Sequence, residues 1–185
     1  MAGCFLPRTA VKSSWTALIE TAKVVMAGID YEVNPLWRFL QERYGFEDAF
    51  RFFGPYAGAS IQVSVVDDFT IESSMDLVMT NTNYVGTHFG GSLYSMCDPF
   101  YMFILMKNLG EQYVVWDKAA TIRFLRPGRG LVRARFHIPP EEIARIKEEV
   151  AKSRKMDWTQ TCEVLDQSGK PVASVDKVLY VRRMK

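Results

Sequence analysis

The 185-residue chain is 48% hydrophobic and 24% charged, the proportions of a globular domain with enough apolar mass for one substantial core. Its 23 Lys and Arg against 21 Asp and Glu leave a net charge of +2, which gives no reason to expect nucleic acid or an anionic membrane as partner. Three scattered cysteines, Cys4, Cys97 and Cys162, form neither a disulfide framework nor a zinc-ligand spacing.

A reducing cytoplasm is the simplest setting for those thiols. Residues Met1 to Arg8 lack an apolar core of secretory length, and the most apolar run, Phe100 to Met106, is too short to span a bilayer. The expectation is a cytoplasmic protein of one domain over 1–185, with an N-terminal helical extension over 1–55 and a core over 56–185.

The extension begins with a helix from about Ser13 to Gly28, where Trp15, Leu18, Ile19, Ala22, Val25 and Met26 recur at helical spacing. A second helix starts at Asn34-Pro35, Asn as cap and Pro in the first turn, and runs to Gly45. After Gly54-Pro55 the period changes to two. Ile61, Val63 and Val65 alternate with polar residues, Asp67-Asp68 marks a turn, and Phe69 to Met79 forms a second alternating run.

A loop rich in turn formers, 81–91, then leads into Ser92 to Asn108, where apolar residues occur on nearly every side. Such a helix needs cover all round. Strands follow at Tyr113 to Leu125, Leu131 to Ile138, Met156 to Leu165 and Val172 to Val181, with a surface helix over Glu141 to Lys152. Asp166 to Lys170 reads as a hairpin turn. Runs of strands with little β–α alternation predict an α+β fold, an antiparallel sheet wrapped around the long central helix.

Asn83, Gly86, Gly90 and Gly91, with Asp98 following in the central helix, resemble the acyl-CoA thioesterases of the hotdog superfamily, the phenylacetyl-CoA branch above all. The strand from Thr121 that ends at Pro127-Gly128, and the last hairpin from Asp166 to Ala173, are similar to that family too. The overall pattern also resembles a bacterial hotdog group of unknown function. The resemblance covers about Ser60 to Val181. It implies dimers, often paired into tetramers, with sites at the subunit interface, an acyl-CoA or other acyl thioester as substrate, and no tightly held cofactor.

By that resemblance Asp98 is the base or nucleophile and the Gly90 and Gly91 amides are the oxyanion donors. Backbone N–H groups at the start of a buried helix suit that role. The plainer reading of the glycines is a tight loop-to-helix turn. Asp98 precedes Pro99, which breaks or kinks a helix, so its carboxylate could equally cap a restarted helix. Asn83 matches the family position that orients water or substrate, and is otherwise a turn residue. Asp117 falls where a polar side chain completes the family site, or pairs outward with Lys118.

His88 and Phe89 stand ahead of the glycines, where the family has His directly before Gly-Gly, so His88 is displaced by one residue. Arg126 and Arg129 flank Pro127-Gly128 and are candidates for the phosphates of coenzyme A. Arg133, Arg135 and His137 share an outward strand face. Tyr94, Met96, Phe100, Tyr101 and Phe103 are either an acyl tunnel or ordinary core. Cys97, with no histidine to activate it, is a buried inert thiol.

Three functions fit: a thioester hydrolase, a non-catalytic module that binds acyl groups, and an enoyl-thioester hydratase, for which no His–acid pair is evident. The first requires the Asp98 carboxylate and the glycine amides to face a common cleft.

Overall fold

The computed structural model describes residues 34–184, together with the backbone of two short strands before them, β1 (Val24–Met26) and β2 (Ile29–Tyr31). Those strands pair antiparallel, which corrects the end of the first predicted helix. Its β-branched Val24 and Val25 and the Ile-Asp-Tyr run favour extended backbone over helix. The rest of that helix, Ser13 to Lys23, lies outside the described residues.

Helix α1 (Pro35–Tyr44) forms as its signals predict. Asn34 Oδ1 accepts from the Leu36 amide at 2.9 Å, and Gly45 at φ 83° ends the helix in the left-handed region open to glycine. Two further short helices, α2 (Phe46–Ala49) and α3 (Gly54–Ala59), carry the chain into the sheet. Aromatic edges hold this segment on the central helix: Phe46 meets Phe103 at 5.4 Å between centroids, and Phe50 meets Phe100 at 5.8 Å.

The main sheet has six antiparallel strands: β3 (Ile61–Asp67), β4 (Thr70–Met75), β5 (Tyr113–Phe124), β6 (Val132–His137), β7 (Lys155–Asp166) and β8 (Pro171–Arg183). Their spatial order is β3-β4-β6-β7-β8-β5, so β3 and β5 are the edges. The second predicted strand stops at Met75, not Met79. The buried Asn81 side chain donates to Ala59 O and Asp76 O and accepts from Val78 N, and this pulls the chain out of the sheet into a 3-10 turn.

One face of the sheet is apolar. Ile71, Val132, Phe136, Val175 and Leu179 close around α5 (Phe100–Leu109), in which Phe100, Ile104 and Leu105 are fully buried. Helix α6 (Pro140–Ser153) covers the remaining side with Ile143, Ile146 and Val150. A sheet curled over a helix in this way is the hotdog fold. The aromatic stripe resolves largely as core, since Met96, Phe100 and Tyr101 are all buried.

In the β7–β8 turn, Asp166 Oδ1 accepts from Ser168 N, Ser168 Oγ and Lys170 N, while Oδ2 meets Arg126 at 2.9 Å. These bonds to Ser168, Lys170 and Arg126 lower its pKa from 3.8 to about 2. The ionised carboxylate therefore supports the hairpin fully above pH 3.8 and loses that contribution as pH falls through about 2. A carboxyl NMR titration should place the Asp166 midpoint below the ordinary aspartate value of 3.8; a midpoint at that value would contradict the turn geometry.

Candidate functional site

The central helix does not run unbroken. Helix α4 (Gly90–Ser95) ends at Met96, and α5 restarts at Phe100, with Asp98-Pro99 joined by a cis peptide bond. Pro99 has no N–H to give and cannot continue the ladder. The carbonyls left over at the break find side-chain donors instead. Ser73 Oγ on β4 donates to Met96 O at 2.6 Å, and the Tyr56 hydroxyl on α3 donates to Ser95 O at 3.0 Å and to Asp98 O. Burial holds the Tyr56 pKa well above 10.0, so this hydroxyl stays protonated as a donor. Tyr56→Phe should destabilise the protein by about 1–2 kcal/mol in urea unfolding, the cost of leaving the Asp98 carbonyl without a donor, since Ser95 O keeps the Asp98 amide.

Asp98 does not cap α5. The residue in the cap position is Pro99, with no side-chain bond, and the Asp98 carboxylate turns instead to Lys177. Lys177 is 1% exposed, on the inward face of β8 between Val175 and Leu179. Its ammonium contacts Asp98 Oδ1, stands 3.0 Å from Asp117 Oδ1, and lies 5.5 Å from the Tyr94 ring centroid. The Asp117 contact is an ion pair without hydrogen-bond alignment.

Burial alone would lower the Lys177 pKa, but Asp98 and Asp117 together outweigh it and hold the ammonium above its ordinary value. Asp117 is pushed up, by burial first and by the Asp98 charge as well, against the pull of Lys177. One cation thus serves two carboxylates. Asp98 Oδ2 has no partner among the described residues, and its side chain is 39% exposed.

Asp117 reaches this position through a bulge. Against β8 it pairs with Leu179, while Ala119 pairs with Val178, so Lys118 is the extra residue. Lys118 points outward to Asp157 at 2.5 Å. Asp117 itself faces in, so the outward-pair reading holds for Lys118 alone.

Gly90 and Gly91 open α4, and their amides donate to no acceptor among the described residues. Both positions are packed against rings. A Cβ at Gly90 would sit 2.7 Å from Phe124 Cζ, and one at Gly91 would sit 2.3 Å from Phe89 Cε1. Gly90 lines a cleft of about 420 Å³ together with Asn83, His88, Phe124, Arg126 and Gly128. Asp98 does not line it. Among the described residues no carboxylate lines that cleft beside Gly90.

Asn83 is spent on its own loop. Oδ1 accepts from Val85 N and Thr87 N, and Nδ2 donates to Thr87 Oγ1 and His88 O, so no polar capacity remains to orient a water. His88 is buried, with Nε2 2.7 Å from Gly130 O, and pins the 126–130 turn against the loop. Arg126 is held by Asp166 and Pro171 O, and Arg129 reaches only Gly86 O at 3.5 Å. Phe89 remains exposed at the rim. Arg133, Arg135 and His137 are exposed, as expected; Cys97 and Cys162 are buried, and the Cys97 thiol is pushed up by its bond with Cys162 and by burial.

A family profile described as a domain of unknown function, DUF4442, matches residues 43–181. The chain belongs to the DUF4442 family. No curated protein matches the sequence. Among solved structures, this DUF4442 chain is similar to a Pseudomonas aeruginosa protein of unknown function described as a probable thioesterase, with TM-score 0.67 and 17% identity over 74% of this chain and 93% of that one. It is similar to a Chlorobaculum tepidum protein of unknown function, with TM-score 0.60 and 16% identity over 80% and 94% of the two chains. A thioesterase from Haemophilus influenzae aligns with TM-score 0.53 and 15% identity over 83% and 94%. At such identities the likeness speaks for the fold.

Sequence reasoning for this DUF4442 chain missed Lys177 and Tyr56. Lys177 had a signal: Val175, Leu179 and Val181 set the inward parity of β8, and a lysine on that parity must have a charged partner. Tyr56 had none, because nothing local ties it to a helix break 42 residues on.

Proposed function

We propose that this DUF4442 protein hydrolyses acyl thioesters, with Asp98 as base or nucleophile and the Gly90 and Gly91 amides as oxyanion donors, the two contributed by different copies of the chain. The carrying observation is the Asp98 carboxylate: Lys177 fixes Oδ1, while Oδ2 stays open to solvent and without a partner among the described residues. A carboxylate held in one orientation, with one oxygen open to a reactant, is what either role needs. The similar structures described as thioesterases support the same chemistry.

The edge strand β5 offers the means of joining two copies. Its twelve residues present an unpaired edge. Phe124 at one end packs on Gly90, and Asp117 at the other meets Lys177. Antiparallel pairing of two β5 strands with Thr121 opposite Thr121 and Lys118 left as the bulge would set Phe124 of one copy beside Asp117 of the second, bringing each cleft to the other's carboxylate. The coenzyme A phosphates would then fall to Arg129 at the rim, since Arg126 is already bonded.

Release of free thiol from a panel of acyl-CoAs tests the activity. Mixing tests the shared site: Asp98→Ala and Gly90→Leu proteins, each inactive alone, should regain part of the activity when dissociated and reassembled together. A mixture as dead as its parents would refute a site built from two chains.

A second reading, an acyl-binding module without turnover, is favoured by one observation: Lys177 already neutralises part of the Asp98 charge. Saturable acyl-CoA binding with no thiol release at any chain length would select it. Nothing favours the hydratase, because His88 bonds a backbone carbonyl and His137 bonds Thr70.

A further inference from the structure

A second cavity, of about 910 Å³, lies where the end of α6 meets the start of β7 and the end of β8. Arg154, Lys155, Arg182 and Arg183 line it, with Tyr180 as an aromatic wall. Among the described residues none of these four cationic side chains has an ion-pair or hydrogen-bond partner. Arg182 Nε is buried with nothing to donate to. Asp157, the next carboxylate along β7, is taken by Lys118.

The backbone makes this arrangement costly. Lys155 and Arg182 are direct cross-strand partners, and like charges directly opposite in an antiparallel pair repel. Arg154 sits at φ 66°, in the left-handed region where glycine would be easier. Cations near the end of α6 are ordinary complements of its dipole, which accounts for Lys152 and Arg154. It does not account for the three strand residues, Lys155, Arg182 and Arg183, or for a buried guanidinium nitrogen without an acceptor.

We propose that this cavity binds a phosphate-bearing anion with at least two negative charges, a pyrophosphate or nucleoside diphosphate group. Guanidinium forks and an ammonium around one space match phosphate oxygens in charge and direction. From Ala173, beside the Gly90 cleft, Arg182 is nine residues along β8, about 30 Å of strand. The anion site therefore stands independently of the thioester reading.

Calorimetric titration of the full chain with pyrophosphate at fixed ionic strength should show saturable binding, one per chain. Lys155→Gln/Arg182→Gln should weaken it by about tenfold or more, while Arg133→Gln, on a strand remote from the cavity, leaves it unchanged. Unliganded, the double variant should melt no lower than the parent, because a repulsive pair is gone. Should it melt lower, Arg154→Gly, which suits the left-handed position, carries the test through the same loss of affinity. ADP binding above pyrophosphate would assign the Tyr180 wall to a nucleoside, and coenzyme A binding above both would assign the site to a thioester carrier. Pyrophosphate binding no tighter than sulfate, or equally tight in both cavity variants, overturns the proposal.

Discussion

Asp98→Asn is expected to reduce thioester hydrolysis by about 10²–10⁴-fold, the range spanned by a positioned acid or base. The amide keeps nearly the same shape and can still accept from Lys177 through its oxygen, so the fold should survive with a melting point near the parent's. What it loses is the unshared charge on Oδ2. The fall should appear in kcat rather than in KM, because Oδ2 acts on the reacting carbonyl and not on the acyl chain or its carrier. Undiminished kcat in a folded Asp98→Asn protein would remove Asp98 from the chemistry. It would leave the acyl-binding reading in possession of the fold.

Lys177→Met should lower unfolding free energy by about 3 kcal/mol, the smaller end of what breaking a buried ion pair costs. The lower end applies because Asp98 and Asp117 keep partial access to water, with side chains 39% and 24% exposed. Methionine fills most of the same space, so the loss is electrostatic, two carboxylates left facing each other without their cation. Adding Asp117→Asn should restore part of the loss, and urea denaturation of the single and double variants measures the coupling. The sign with pH follows from the raised native pKa of Lys177. Its stabilisation is complete below the ordinary value of 10.5 and disappears as pH climbs through the higher native one. An alkaline unfolding midpoint unchanged in Lys177→Met would mean that the ammonium does not hold this region together.

The strands and the surface helix were legible because alternation and helical spacing are local properties. Val132, Ala134 and Phe136 point in while Arg133, Arg135 and His137 point out, as their parity demands. Asn34 announced α1 for the same local reason. The failures are all long-range. Asp98 looked like a helix cap from its neighbour Pro99, yet its partner is Lys177, 79 residues away. Phe69 to Met79 read as one strand until Asn81 bonded back to Ala59 and Asp76. For the glycines the sequence offers both an oxyanion role, by resemblance, and a tight turn; the fold adds that they make room for Phe124 and Phe89. Helix α3 spans the change of period after Gly54-Pro55 and carries the hydroxyl that ties down the helix break.

The single surplus residue in β5 sets the phase of everything after it. Before Lys118 the odd-numbered Val115 and Asp117 look toward the helix; beyond it the even-numbered Ala120, Ile122 and Phe124 do, opposite Lys177, Val175 and Ala173. Drawing Lys118 into regular pairing opposite Val178 would move every later residue by one place, putting Thr121 and Arg123 inside and lifting Phe124 off Gly90. Trimming that one codon would instead leave the phase intact, Ala119 still opposite Val178 and Ala120 still opposite Lys177, at the loss of the Lys118–Asp157 ion pair.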